Sequence, residues 1–190
     1  MPASKNLPAV LFSLVMLSGC AFSDYTNYIR GTTVDATVSG QSGPWDATVN
    51  ADHPYGLAAN VMLAPTIVAL SALNLPQAEG ILTITYRSGS ASYGSGYAST
   101  DGLGVNGYEA IDGYFPGQYV DESESPVYVL ALLGVFADGD GVIVGTPFKI
   151  GNGPRTVKVP QGAERLQIGF NDHQYVDNTG SIVVRIGAVP

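Results

Sequence analysis

Cysteine is almost absent: the chain holds one, Cys20, in 190 residues, so no disulfide can form within it and no cage of thiolates can hold a metal. Positive charge is scarce as well. Eight Lys and Arg stand against sixteen Asp and Glu, a formal net charge of −8, with a pI near 4.4. Without a Lys/Arg cluster there is no electrostatic footprint for nucleic acid or for an anionic lipid surface; an acidic, sparsely charged surface suits cations or neutral ligands such as sugars. Long apolar runs are also lacking. Leu7 to Leu17 falls short of the about 20 apolar residues a spanning helix needs, and Ala58 to Leu75 is interrupted by Asn60, Pro65, Ser71 and Asn74. Since a mid-run proline breaks a helix, the second stretch reads as a short helical or loop insertion ending near Ala64, followed by a buried strand.

What is present begins with an address. Leu7 to Leu17 follows a short segment with one cation, Lys5, and ends in Leu17-Ser18-Gly19-Cys20, the anatomy of a bacterial lipoprotein signal cleaved just before a cysteine that then carries lipid. An ordinary secretory signal with a chance cysteine is the other reading of the same residues. On the lipoprotein reading, residues 1–19 are removed, the thiol of Cys20 is consumed by lipidation, and several acyl chains (palmitate among them) give a stable anchor where one would be marginal. Ala21 does not argue for inner-membrane retention as an Asp there would, so the expected location is the outer membrane or the cell surface.

Residues 20–43 are polar, rich in Ser and Thr, and read as a lipidated tether with one short strand around Thr32 to Val38. From 44 to 190 the chain reads as one β-sandwich domain. Short β-type segments recur at Trp45 to Val49, Thr66 to Leu70, Ile81 to Tyr86, Val127 to Phe136, Pro147 to Ile150, Thr156 to Val159, Arg165 to Phe170 and Ser181 to Ile186, with Gly, Pro, Asn and Asp between them. That is the pattern of an all-β sandwich or barrel. Apolar and polar residues alternate in Leu82-Thr83-Ile84-Thr85-Tyr86 and in Leu166-Gln167-Ile168-Gly169-Phe170, so each should show one face to a core and the other to solvent.

Two segments carry any chemistry. In Phe170-Asn171-Asp172-His173-Gln174-Tyr175-Val176-Asp177-Asn178-Thr179-Gly180-Ser181, two hard carboxylates lie five residues apart, Asn178 adds an amide oxygen, and a tight loop between strands can aim backbone carbonyls at one point. Calcium takes 6–8 oxygens at about 2.3–2.6 Å in tolerant geometry, which such a set can supply. The same residues are also those that ordinary turns select. The segment resembles the calcium loop of the calcium-dependent galactophilic lectins of the PA-IL type, and Ile84-Thr85-Tyr86-Arg87-Ser88-Gly89-Ser90-Ala91-Ser92-Tyr93-Gly94 is similar to their preceding strand and loop. Trp45-Asp46-Ala47-Thr48-Val49 resembles the opening strand of the family and Ser181-Ile182-Val183-Val184-Arg185-Ile186 its closing strand.

The resemblance implies a jelly-roll sandwich of the galactose-binding-like type. It also implies calcium held by the side chains of Asp172, Asp177 and Asn178, by a carbonyl near Gln174 or Tyr175, and by the carbonyl of Tyr93. Adjacent hydroxyls of a galactose-like ring would complete the metal's shell in place of water. Phe115-Pro116-Gly117-Gln118 resembles the family's His-Pro-x-Gln stretch: Gln118 is retained to bond a sugar hydroxyl, whereas Phe115 replaces the histidine and offers an aromatic face. With Asp172, His173 and Asp177, these two make the expected carbohydrate-binding set. Two differences separate this loop from the PA-IL type. It is two residues shorter after its first Asp, and it carries Asp177 in place of Asn.

Other signals are weaker. The loop Ser95 to Pro126 is rich in Gly and carries Tyr97, Tyr108, Tyr114 and Tyr119, a composition equally suited to a binding surface and to a solvated excursion. Asp121-Glu122-Ser123-Glu124 reads as a solvated acidic turn. Asp138-Gly139-Asp140-Gly141 opens like an EF-hand, but Lys149 stands where the twelfth-position carboxylate is needed, so a hairpin turn explains it better. His53 and His173 have no nucleophile and carboxylate arranged around them, and no serine lies in Gly-x-Ser-x-Gly. The expected protein is a non-catalytic, calcium-dependent, galactoside-binding lipoprotein. The alternative is a structural or adhesion sandwich of an envelope assembly, with structural calcium or none. A homo-oligomer is compatible with either.

Overall fold

The computed structural model describes residues 32–57, 63–75 and 80–189. The expected signal segment, Cys20, the start of the tether and most of the expected insertion before Ala64 lie outside the described residues. Among the described residues there are eight strands: β1 (Thr33–Ser39), β2 (Thr66–Ala69), β3 (Ile81–Ser92), β4 (Leu132–Ala137), β5 (Phe148–Lys149), β6 (Arg155–Lys158), β7 (Arg165–Phe170) and β8 (Thr179–Val189). They form two four-stranded sheets ordered β1-β8-β3-β6 and β2-β7-β4-β5, antiparallel at every pairing. Among the described residues no helix is long and apolar enough to cross a membrane.

Alternation along the strands builds the core. Val38 of β1, Leu82 and Ile84 of β3, and Ile182, Val184 and Ile186 of β8 point inward. They meet Val68, Leu132, Leu166, Ile168 and Phe170 of the second sheet in one buried cluster, each large side chain contributing about 1.5–3 kcal/mol by leaving water. The central strands of the second sheet, β4 and β7, are covered on both faces. All six residues of β4 are buried, and so are Gln167 and Gly169 on the side of β7 expected to face solvent. Gly169 explains the cover: a Cβ there would sit 2.1 Å from the Gly43 carbonyl, so only a glycine lets that chain segment lie against the sheet. The contact is fastened where Phe170 N–H donates to Ser42 O.

Several expectations need correction. The strand expected near Thr32 to Val38 is present as β1 and pairs with β8 from Thr33↔Gly187 to Ser39↔Ser181. Residues 33–39 are therefore part of the sandwich and not of a tether, and β1 is its opening strand. Trp45 to Val49 is a turn. Asp46 Oδ1 accepts from Thr48 N–H and Oγ1–H, a local side-chain alternative to the sheet ladder, while Trp45 is fully buried beneath a loop. Thr66 to Ala69 is an edge strand in which only Val68 is buried. The strand expected from Val127 starts at Leu132, because Leu130 takes a left-handed φ of 59° and Val129 is drawn into the middle loop, donating to Tyr108 O.

Register fixes the two ends of the sandwich. Thr33↔Gly187 and Ile81↔Val189 define one end, Ser39↔Ser181 and Ser92↔Thr179 the other. The loops carrying the candidate residues gather at the second end.

Candidate functional site

Residues 171–178 join β7 to β8, and their shape is set by a buried asparagine. Asn171 Oδ1 accepts from Gly117 N–H at 2.7 Å, and its Nδ2–H donates to Ala110 O and Tyr128 O. A single fully buried side chain thus fastens the middle loop to the end of β7. The Gly117 Cα lies so close that a Cβ would be 2.6 Å from Ala110 O, which is why glycine stands in Phe115-Pro116-Gly117-Gln118.

Asp172 follows and is 2 % exposed. One oxygen, Oδ1, accepts from His173 N–H at 2.6 Å and from Gln174 N–H at 3.1 Å. The other, Oδ2, is buried and accepts no hydrogen bond from the described residues. Burial pushes the Asp172 pKa up, against the opposing pull of the Gln174 N–H, the Asn178 side chain and the His173 N–H. Asn178, also 2 % exposed, donates from Nδ2 to Gly40 O at 2.9 Å. A carbonyl can only accept, so the amide orientation is fixed, and its Oδ1 is left buried with no partner among the described residues. Each oxygen deprived of a partner in this way costs about 1–3 kcal/mol. The Asp172 and Asn178 oxygens are hard, buried donors of the type calcium takes, with the Asn178 side chain close enough to the carboxylate to act on its pKa.

Asp177 is exposed and reaches the end of β3. Its Oδ2 lies 3.4 Å from where a Cβ of Gly94 would sit, so the structure brings Tyr93-Gly94 to the loop. The Tyr175 side chain is not available to a ligand. It is fully buried, its hydroxyl donates to Phe170 O, and burial raises its pKa well above the usual value. Its carbonyl already accepts from Asn178 N–H at 3.2 Å, leaving one lone pair.

Phe115 and His173, from distant parts of the sequence, meet with ring centroids 4.6 Å apart. His173 Nδ1 is also 3.5 Å from Asp172 Oδ1, so this ring pair stands directly beside the buried carboxylate. Gln118 is half-buried and donates from Nε2 to Gly113 O at 3.2 Å, within its own loop. Its placement comes from the short 3-10 turn Pro116–Tyr119. Tyr119 turns away into an aromatic cluster with Trp45 and His53, while Tyr97, Tyr108 and Tyr114 are exposed. The middle loop is largely exposed but is pinned to the body by isolated bridges at Ala91↔Thr100 and Glu109↔Tyr128.

Two residues that position this loop, Gln41 and Gly40, carried no signal in the sequence. Gln41 Nε2–H donates to Val176 O and Asn178 O, and Gly40 O orients Asn178, so the β1 end clamps the loop from a segment taken for tether. Glu124, read as part of a solvated turn, accepts from Lys149 N–H and pairs with Arg155. Among the described residues there is no group of three or more His, Cys, Asp and Glu placed to hold a metal; beyond Asp172 and Asp177, further ligands would have to be amide, carbonyl or ligand oxygens. No protein-family model, curated protein or solved structure matches the chain.

Proposed function

We propose that this chain is a non-catalytic, calcium-dependent carbohydrate-binding protein of the bacterial envelope, anchored through lipid on Cys20. One observation carries the reading: Asp172 Oδ2 and Asn178 Oδ1 are both buried and without hydrogen-bond partners, in the loop that resembles the calcium loop of the PA-IL-type lectins. Asp172, Asn178 and Asp177 would hold the ion by side chain, with carbonyls of Tyr93 and Tyr175 as further oxygens. Bound there, calcium would supply open coordination positions for two adjacent hydroxyls of a galactose-like ring. Phe115, tilted against His173, then offers an apolar edge to that ring, and Gln118 a polar one.

The direction of the strands suits an anchored receptor. The chain enters β1 at Thr33, the end of the sandwich opposite Ser39 and the loop, and seven strand residues separate the two ends by roughly 20 Å. A lipidated N-terminus would therefore leave the loop end facing outward.

A second reading keeps the calcium and drops the sugar. The near-complete burial of Asp172 and Asn178 favours an ion that only braces the loop, as in a structural or adhesion module. Calorimetric titration of the purified protein with methyl galactoside separates the two, run with calcium, with chelator and with Asp177→Ala. Calcium-dependent binding lost in the variant supports the lectin reading. Calcium binding with no saccharide signal across a galactoside and wider glycan panel would sink it in favour of the structural module.

A further inference from the structure

Tyr97 is the most conspicuous exposed aromatic near the loop, and it is held more firmly than an exposed ring needs to be. It is 58 % exposed, yet its ring stacks on that of Tyr93 with centroids 4.2 Å apart and planes 29° from parallel. The backbone beneath it is fixed by a buried serine. Ser92 Oγ–H lies within hydrogen-bonding distance of two carbonyls, Gly94 O at 3.0 Å and Tyr97 O at 3.1 Å, closing the turn that carries the tyrosine. Gly94 has a φ of +143°, in the region that favours glycine. A Cβ there would lie 3.4 Å from both Asp177 Oδ2 and the Tyr97 ring. A candidate calcium ligand and an exposed aromatic ring thus lie on the same side of Gly94, each within contact of the same point.

We infer that the stacked pair Tyr93 and Tyr97 is a second subsite, a platform for a ring attached to the sugar that the calcium loop takes. This rests on the lectin reading above and deepens it: the ligand is a disaccharide or an aryl galactoside rather than a monosaccharide. One face of Tyr97 is covered by Tyr93, and its exposed area is open to the apolar face of a pyranose or to an aromatic aglycone. Because the stack and the serine clamp order the ring before any ligand arrives, little rotamer freedom remains to be lost on binding. The platform lies beside Asp177 on the β3 side, whereas Phe115 and His173 flank Asp172, so the two aromatic faces serve different parts of a ligand.

The test is calorimetry in saturating calcium with methyl galactoside, a galactose-containing disaccharide and 4-nitrophenyl galactoside, on the purified protein and on Tyr97→Ala and Tyr97→Phe. The two larger ligands are expected to bind about five- to tenfold tighter than methyl galactoside, a gain of the size of one aromatic stack. Tyr97→Ala should remove that gain while leaving methyl galactoside affinity and the calcium affinity within about twofold, and Tyr97→Phe should keep it. Equal affinity for all three ligands, or an equal loss for all three in Tyr97→Ala, would overturn the platform alone. Failure of every galactoside to bind the unaltered protein would overturn the lectin reading and the platform with it.

Discussion

Two acidic turns, Asp138–Gly141 and Asp172–Asn178, look alike in composition and are built to different ends. Each opens on an aspartate, each connects strands, and each is tied to a remote segment by buried asparagine: Asn50 reaches in to the first, while Asn171 and Asn178 reach out from the second. In the first, Asp138 Oδ1 accepts from Asp140 N–H and Val142 N–H, both at 2.9 Å. Asn50 holds the turn from outside by accepting from Ile143 N–H and donating to Gly141 O. The hairpin is closed by its own polar groups. In the second, the Asp172 carboxylate is buried with one oxygen satisfied and the other not, and Asn178 repeats the pattern. A turn that only needs to turn satisfies its acceptors, while unsatisfied buried oxygens mark a place where a partner is missing.

The largest expected effect comes from the asparagines. Asn171→Ala removes a fully buried side chain with three hydrogen bonds and should lower stability by about 3 kcal/mol in urea unfolding, with loss of calcium and sugar binding. Asn50→Ala should cost about 2 kcal/mol and leave calcium binding intact. If Asn50→Ala also abolished calcium binding, the two turns would not be independent.

Next is the effect of the ion itself. Calcium at a hundred times its dissociation constant should stabilise the protein by about 2.7 kcal/mol, read as a rise in Tm. Asp138→Ala should keep that rise and Asp177→Ala should lose it. Because Asp177 is exposed, its replacement should change metal-free stability by no more than about 0.5 kcal/mol. An unchanged Tm on adding calcium would erase the distinction between the turns.

Asp138→Ala should itself cost about 1 kcal/mol, the same with and without calcium, since its two acceptor bonds act on the hairpin alone. Denaturation midpoints at both calcium levels check this.

The smallest effect lies far from both turns. Asp35 is held below the usual carboxylate pKa, chiefly by the hydrogen bonds it accepts from Arg185 Nε and Nη2, both at 2.7 Å. A lowered folded pKa means the pair's contribution is present above the unfolded value of 3.8 and fades as pH falls through the lower folded value. The pair is exposed, so salt should screen it. The stability difference between the protein and Arg185→Ala should therefore shrink on acidification below pH 4 and at high ionic strength. A difference that persisted under both conditions would mean that Arg185 contributes through packing of its stem.

Much of the sandwich was legible in one dimension. Leu82 and Ile84 alternate with threonines, and Ile182, Val184 and Ile186 with half-buried or exposed residues, so the core face of β3 and β8 could be written from the period alone. Trp45 to Val49 misled because an aromatic and a valine suggest a strand, whereas the Asp46 side chain bends the backbone into a turn. The polar face of β7 misled in a different way. Gln167 and Gly169 alternate as a solvent face should, but the chain around Gly43 crosses over them, and only the fold brings it there. The loop chemistry was partly visible. Asp172, Asp177 and Asn178 drew notice as oxygen donors, while Gly40, Gln41 and Asn171, which position them, left no mark because ordinary polar residues act by where they are placed.

By itself, the sequence determined the all-β class, the two most regular strands and the loop that holds the oxygen-rich residues, because hydrophobic period and turn chemistry are local properties of neighbouring residues. Tertiary structure decided which acidic turn was satisfied and which was left wanting. It placed Phe115 on His173, the Asp177 carboxylate beside Tyr93 and Gly94, and the β1 end against Asn178. Burial and unmet hydrogen bonds depend on what segments distant in sequence bring to one place, and no local pattern encodes that.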